Sequence, residues 1–508
     1  MNWPPRLLLY RDHLPWCLDA TGARLDEAAF DALDWPRAFA EMAELEAGAV
    51  ANASENRQVG HYWLRAPERA PTVGLAAAIG DANLAMRELL DKIRSGAVGN
   101  DAGEPFTDVV HIGIGGSALG PQMLVGALGT TDGFPVHFLD NADPDGIQAT
   151  LATLGARLRT AVIVVVSKSG STPEPGHALN LTRAALASLG VTAAPNLIAV
   201  TTPDSPLDRT AAAEGWLARL PLWSWVGGRC SALSAAGLIT AELAGVDSTA
   251  VLSGARDMDA WTRDTDPWLN PAALFAGVAW IAGHGRGDRG MVVLPYADRL
   301  APLSAFIQAL FMESLGKHQD RDGRVVEQGL TVLGHKGSTD QHALVQQIRD
   351  GRDDFMALLV QVLDLRGDGT PAALAAGDQL QGFLLGTRRA LAERARPALV
   401  LTVPSVDAYA LGGLVALIER TVGLYASLAN LNAYDQPGVE AGKRAADALL
   451  DLSSRIRGKL VAAPAHVEAL AAACDADPTD VLYLLRRLAL TGRLIVDGSP
   501  VTGLWRLR

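Results

Sequence analysis

Four apolar runs, each ending in small or turn-forming residues, constrain this chain more than any other feature. They are DVVHIGIGG, VHFLDNADP, AVIVVVSKSGS and LIAVTTPDS, spaced roughly 25–35 residues apart with helix-like sequence between them. Runs that are apolar at nearly every position are buried on both faces, which calls for a mainly parallel sheet with helices above and below it. A second set follows: RGMVVLPYAD, RVVEQGLTVLGHKG and ALVLTVPSVD, surrounded by the helix-like LSAFIQALFMESLGKH and GGLVALIERTVGLYASLANLNAY. The fold class is therefore α/β, with two such units and the suggestion of an internal structural duplication.

The domain reading follows from where these patterns start and stop. Residues 1–80 read as a helical N-terminal region, within which ENRQVGHYWLRAPERAP, rich in charge and holding two prolines, reads as a connector. Residues 81–255 read as a larger α/β domain and 256–455 as a smaller one with flanking helices. Residues 456–508 give helix, helix and a hairpin around Asp497-Gly498, the order of a small winged-helix-like module.

Composition narrows the function classes. The chain has 508 residues, too many for one core, and 49% of them are hydrophobic against 20% charged, as in a folded globular protein. A net charge of −12 argues against bulk nucleic-acid binding, which depends on phosphate neutralisation, yet leaves room for a small anion held by local cations. The three cysteines, Cys17, Cys230 and Cys474, are far apart and lack metal-ligand spacing, so a reduced, cytoplasmic protein is expected, with no metal and no cofactor. The apolar run near the N-terminus is too short for a signal peptide, and no uninterrupted apolar span reaches membrane length.

Six motifs carry the chemistry. HIGIGGSALGP places Gly116 and Ser117 between a strand and a helix, where backbone N–H groups and the helix dipole favour an anion; a ligand-free βα turn has the same sequence. SKSGSTPEP offers the hydroxyls of Ser167, Ser169, Ser171 and Thr172 and the charge of Lys168 at another helix start. A simple N-cap explains one hydroxyl but not four with a lysine, so an anion-binding loop is the better reading, with phosphate the best fit. In WVGGRCSALSAAGL, Gly227 and Gly228 keep the chain thin beside Arg229. Glu313, in FMESLGKH, lies on an otherwise apolar helix; such burial raises a carboxyl's pKa and suits a proton-transfer base. His342 opens a helix after GSTDQ, and Gln436 and Lys443 flank a Pro-Gly turn in YDQPGVEAGKRAA. Taken singly, each of these last four motifs is more common as an ordinary turn, helix edge or surface residue than as a site; their order and flanking residues decide otherwise.

Together and in this order, the motifs resemble those of the phosphoglucose isomerase family, across about residues 55–450. The whole chain is most similar to the isomerase half of bifunctional transaldolase/glucose-6-phosphate isomerases, with no transaldolase half. The resemblance implies two sugar isomerase (SIS) domains, each a three-layer αβα sandwich, and a homodimer acting on a sugar phosphate, with no nucleic-acid or membrane partner. It implies phosphate contacts at Ser117, Ser167, Lys168, Ser169 and Thr172, and substrate contacts at Gly116, Gly228 and Gln436. It further implies Glu313 as the base moving a proton between C1 and C2 through a cis-enediol, and Arg229 as the stabiliser of the enediolate. His342, from the neighbouring subunit, and Lys443 would open the sugar ring.

The chain departs from the family pattern in places. Gly170, Ser171 and Pro173 stand where threonines are usual, Pro175 replaces the last threonine of the loop, Ala118 an aspartate and Leu315 an asparagine. Pro175 has neither hydroxyl nor N–H, so a phosphate donor is expected to be missing. These departures leave open an enzyme that also accepts mannose 6-phosphate. A reading of another class is a sugar-phosphate sensor with 459–508 as a DNA-binding winged helix.

Overall fold

The computed structural model describes residues 6–508, which fall into two units, one ending at Asp435 and the other spanning Gln436–Arg508. In the first unit the expected alternation of strands and helices is present. Five parallel strands form one sheet in the spatial order Val136–Leu139, Asp108–Ile112, Ala161–Val166, Leu197–Thr201, Ala218–Pro221. The three central strands are buried along their whole length, as their unbroken apolar runs demand. Alternate residues face opposite layers: Val109, Val162 and Val164 enter one core cluster, while Val110, Ile163 and Val165 enter another.

The strand order sets the position of the site. The first strand in sequence, Asp108–Ile112, lies between the second and the third. Chain connections therefore leave in opposite directions from the first and third strands, opening a crevice at their carboxyl ends. The loop carrying Gly116 and Ser117 follows the first of these strands and SKSGST follows the other.

The second sheet has six strands. Val332–Gly334, Gly290–Pro295, Phe355–Val362 and Ala398–Val403 are parallel, and a hairpin of Leu8–Tyr10 and Cys17–Asp19 extends the edge antiparallel. The N-terminal region is thus not only helical as expected. Each strand of this hairpin spans three residues, too few to give a period of two, and Cys17–Asp19 becomes a strand by pairing with Val400–Thr402.

Helices between the sheets share a single apolar cluster that takes in Val109 and Val162 of the first sheet and Val293 and Leu358 of the second. Its central helix, Ala408–Leu428, is long and apolar enough to cross a membrane, but it is buried inside this unit and interrupted by Glu419 and Arg420. Those two charges join a buried ion-pair network. Asp259 accepts from Arg65 at 2.9 Å and from Arg420 at 2.8 Å, Arg65 also pairs with Glu419, and Arg420 with Glu46. Breaking one pair in such a network leaves an uncompensated buried charge and costs about 3–5 kcal/mol.

The second unit contains the helices Pro437–Ala462, Val467–Cys474 and Pro478–Leu490 and the hairpin Leu494–Asp497/Leu504–Leu507. The order helix, helix, hairpin is as read from the sequence. The unit begins earlier than residue 456, because Leu452, Ile456 and Leu460 of its first helix pack with Leu470, Leu485 and Trp505.

Candidate active site

SKSGST turns sharply at Gly170, whose φ is +67°. A Cβ there would lie 2.6 Å from Ser205 Oγ and 2.8 Å from the Leu207 nitrogen, so the loop is pressed against the next βα turn. Gly170→Ala is expected to destabilise the fold by roughly 1–3 kcal/mol and to raise KM for a phosphorylated sugar, checked by thermal unfolding and initial rates.

The hydroxyls of the loop meet one another. Ser167 Oγ donates to Thr172 Oγ1 at 3.2 Å, Ser169 Oγ lies 3.2 Å from the same oxygen, and Ser171 Oγ donates to Ser169 Oγ at 3.2 Å. Thr172 is the N-cap residue of the helix Pro173–Ser188, but its side chain accepts no capping bond. Pro173 and Pro175 remove two of the N–H groups that begin an ordinary helix, so an anion here relies on hydroxyls more than on the helix start. Lys168 points back instead, donating to the Ser224 carbonyl at 2.9 Å. Burial, and then the nearby Arg57, lower its pKa to about 8.

Across the crevice, the glycine loop touches the turn that bears Arg229. A Cβ on Gly116 would lie 2.3 Å from the Gly228 carbonyl carbon and 2.5 Å from the Arg229 nitrogen. His111, on the strand beneath, bridges Ser117 and Thr240: Nε2 is 2.8 Å from the Ser117 carbonyl and Nδ1 is 2.8 Å from Thr240 Oγ1. Burial lowers the pKa of His111 to about 4, so the ring is neutral, donating from Nε2 and accepting at Nδ1. His111 thus positions the first turn of the helix Gly116–Leu128. It precedes the motif's glycines directly, but its sequence context alone does not distinguish it from a core residue.

Arg229 is buried and fixed on three sides. Nε donates to Ser314 Oγ at 2.7 Å, Nη2 donates to the carbonyls of Ala433 and Asp435, the latter at 3.1 Å, and Nη1 lies 3.5 Å from Glu313 Oε2. Three of these partners are neutral, so the guanidinium is held without its charge being cancelled except by Glu313. Glu313 stands near the end of the helix Ala301–Leu315, at the border of its apolar face, with its side chain 32% exposed. Lys317 braces the same corner, donating to the carbonyls of Glu313 at 3.2 Å and Asp435 at 2.9 Å.

Lys168 and Arg229 open onto one pocket. Its wall includes Glu55, Arg57 and His61, which belong to the segment read as a connector. Asn52 and Ser54 anchor that segment by donating to the Tyr434 carbonyl at 3.2 Å and to Asp435 Oδ2 at 2.7 Å. In the sequence, its charge density and its resemblance to a segment of the phosphoglucose isomerase family point to a role, but its partners lie nearly four hundred residues away.

The first unit therefore brings together the hydroxyl loop, Gly116, Gly228, Arg229 and Glu313. His342 stands exposed near the start of the helix Gln341–Asp350. Gln436 and Lys443 belong to the second unit, where Lys443 donates to Glu440 at 2.8 Å.

Comparison with known proteins agrees with this geometry. The family model for phosphoglucose isomerase matches residues 29–360 and 386–459. Glucose-6-phosphate isomerase of Trichormus variabilis is 48% identical over 461 residues, covering 89% of this chain and 87% of the relative. That of Synechococcus sp. (strain JA-3-3Ab) is 46% identical over 509 residues, covering 97% and 95%. Among solved structures, a glucose-6-phosphate isomerase from Chlamydia trachomatis superposes with a TM-score of 0.78 at 26% identity, over 88% of this chain and 90% of that one. A crevice built from paired βα turns, a family model that matches most of the chain and relatives at 46–48% identity lead to one assignment: this chain belongs to the phosphoglucose isomerase family.

Proposed function

We propose that the chain interconverts glucose 6-phosphate and fructose 6-phosphate by proton transfer through a cis-enediol. The observation that carries this reading is Arg229, which lines one pocket with Lys168 and places its Nη1 3.5 Å from Glu313 Oε2. Phosphate binding at the hydroxyl loop holds the sugar remote from the reacting carbons, so binding energy is spent on orientation. Glu313 takes the proton from C2 and returns it to C1, and the electron pair left behind develops charge on the enediolate oxygen. A rigid guanidinium already in place stabilises that charge without reorganising.

Ring opening requires proton transfer at O1 and O5. We assign it to Lys443 and to His342 of a second copy in a homodimer; the exposure of His342 supports this assignment. Gln436 is assigned a substrate contact. All three cysteines are unpaired, in keeping with a cytoplasmic enzyme.

The test is a coupled assay with glucose 6-phosphate and mannose 6-phosphate side by side. Formation of fructose 6-phosphate from the first is expected; tight phosphosugar binding without turnover would favour the sensor reading. The lowered pKa of Lys168 adds a pH signature. Its ammonium is charged at neutral pH and loses its proton above about pH 8, while the substrate phosphate stays dianionic. KM is therefore expected to rise roughly fivefold between neutral pH and about pH 9.5, the worth of one part-exposed charge contact, and Lys168→Met is expected to flatten that dependence.

A further inference from the structure

Spacing along the chain gives no metal-ligand cluster, but folding brings three potential ligands together beneath the pocket. A ring nitrogen of His61, the sulfur of Cys230 and a carboxylate oxygen of Glu419 all lie within 4.8 Å of one another. All three residues are buried, and His61 and Cys230 also line the pocket wall, which gives the cluster an entrance. They come from three distant stretches, so only the tertiary fold assembles them.

The carboxylate supplies an independent sign. One oxygen of Glu419, Oε2, is held by Arg65. The other, Oε1, is fully buried and has no hydrogen-bond partner among the described residues. A buried carboxylate oxygen without a partner is costly, and such exceptions call for an explanation. Arg65 orients the carboxylate from behind, as outer partners do at metal sites.

We propose that His61, Cys230 and Glu419 form a binding site for a thiophilic divalent cation such as Zn2+, whose occupation inhibits the enzyme from the floor of the pocket. Zinc bonds of about 2.0–2.3 Å place tetrahedral ligand atoms roughly 3.3–3.6 Å apart, so the cluster closes on the ion with movements of about 1 Å. Sulfur and imidazole select zinc or cadmium over magnesium, which requires an octahedron of oxygens.

Burial raises the Glu419 carboxyl to about 7, so a cation has to displace a proton there as well as at Cys230. Burial, with the guanidinium groups of Arg65, Arg420 and Arg229 adding to it, holds His61 well below the usual range, so its ring is neutral and keeps a lone pair. Burial, with Glu419 nearby, pushes the Cys230 thiol up to about 12, so it stays protonated until a cation arrives. On binding, the S–H bond breaks, the sulfur's electron pair goes to the metal and the proton leaves to water. The thiolate and the carboxylate, the latter shared with Arg65, then supply the negative charge beside the ion. Because Cys230 directly follows Arg229, an ion here crowds the guanidinium and the sugar's reacting end.

The test is titration of the full chain with Co2+, read by its thiolate-to-metal charge-transfer absorption. The band is expected in the parent chain and in a Cys17→Ser/Cys474→Ser variant. Cys230→Ser is expected to lose it, with affinity for Zn2+ in equilibrium dialysis falling by about 100-fold or more. Absence of the band from the parent, or its persistence in Cys230→Ser, would overturn the site. His61→Gln, also expected to weaken Zn2+ binding, provides a second variant should Cys230→Ser fold poorly. Inhibition rests on the isomerase reading, whereas the cobalt readout does not. Stoichiometric Zn2+ is expected to slow glucose 6-phosphate turnover by about tenfold or more, and an unchanged rate at full occupancy would overturn the inhibitory role.

Discussion

Glu313→Gln is expected to lower kcat by about 10²–10⁴-fold, the loss that follows removal of a positioned general base. Glutamine keeps the shape and can still meet Arg229, but it cannot accept the C2 proton. The loss corresponds to about 3–5 kcal/mol of barrier. KM is expected to stay within about threefold of the parent, because the phosphate handle is elsewhere in the site. Two measurements check this: steady-state rates with glucose 6-phosphate, and exchange of the C2 hydrogen with deuterated water. A fall in kcat of less than about tenfold, with exchange intact, would place the base on another residue.

Arg229→Lys is the second large effect, with an expected loss of about 10²–10³-fold in kcat. The substitution retains a positive charge, so it tests geometry. Arg229 reaches Ser314, Ala433, Asp435 and Glu313 from one planar group. A lysine ammonium cannot hold that set, and carbonyls left without donors cost about 1–3 kcal/mol of stability. Thermal unfolding separates the two consequences. A variant that keeps its melting temperature but loses kcat supports a role at the enediolate. A variant that loses stability but keeps kcat per folded molecule would reduce Arg229 to a structural brace.

The sequence was most legible where burial was most complete. Ala161–Val166 and Leu197–Thr201 are apolar throughout because helices cover both their faces, and the parallel sheet follows from that. SKSGST was legible as a hydroxyl-rich turn between a buried strand and a helix, which is where the fold places it. The Arg229–Glu313 contact was not legible from spacing, since 84 residues separate the pair; resemblance to a family brought them together. Cys17–Asp19 was missed because its strand character comes from its neighbour. The pocket role of Arg57 was missed because a charged segment between helices has the same composition whether it faces solvent or a ligand. The early start of the second unit was missed because the apolar stripe of Pro437–Ala462 is confined to its carboxyl half.

One apolar cluster runs without a break from the first sheet to the second. A hinge between them would have to part side chains such as Leu124, Ile239, Phe311 and Leu414, exposing oil to water at each catalytic cycle. Enzymes that clamp their substrates by swinging two lobes keep a wet seam between them; this chain has none there. On the proposed function, closure around the substrate is expected to be local, at the hydroxyl loop. Ser167, Ser169, Ser171 and Thr172 bond to one another, so an arriving phosphate exchanges partners instead of dragging a domain. On that reading capture is a matter of side-chain rotation, on the fast end of protein motion, and ring opening or proton transfer is expected to set the pace.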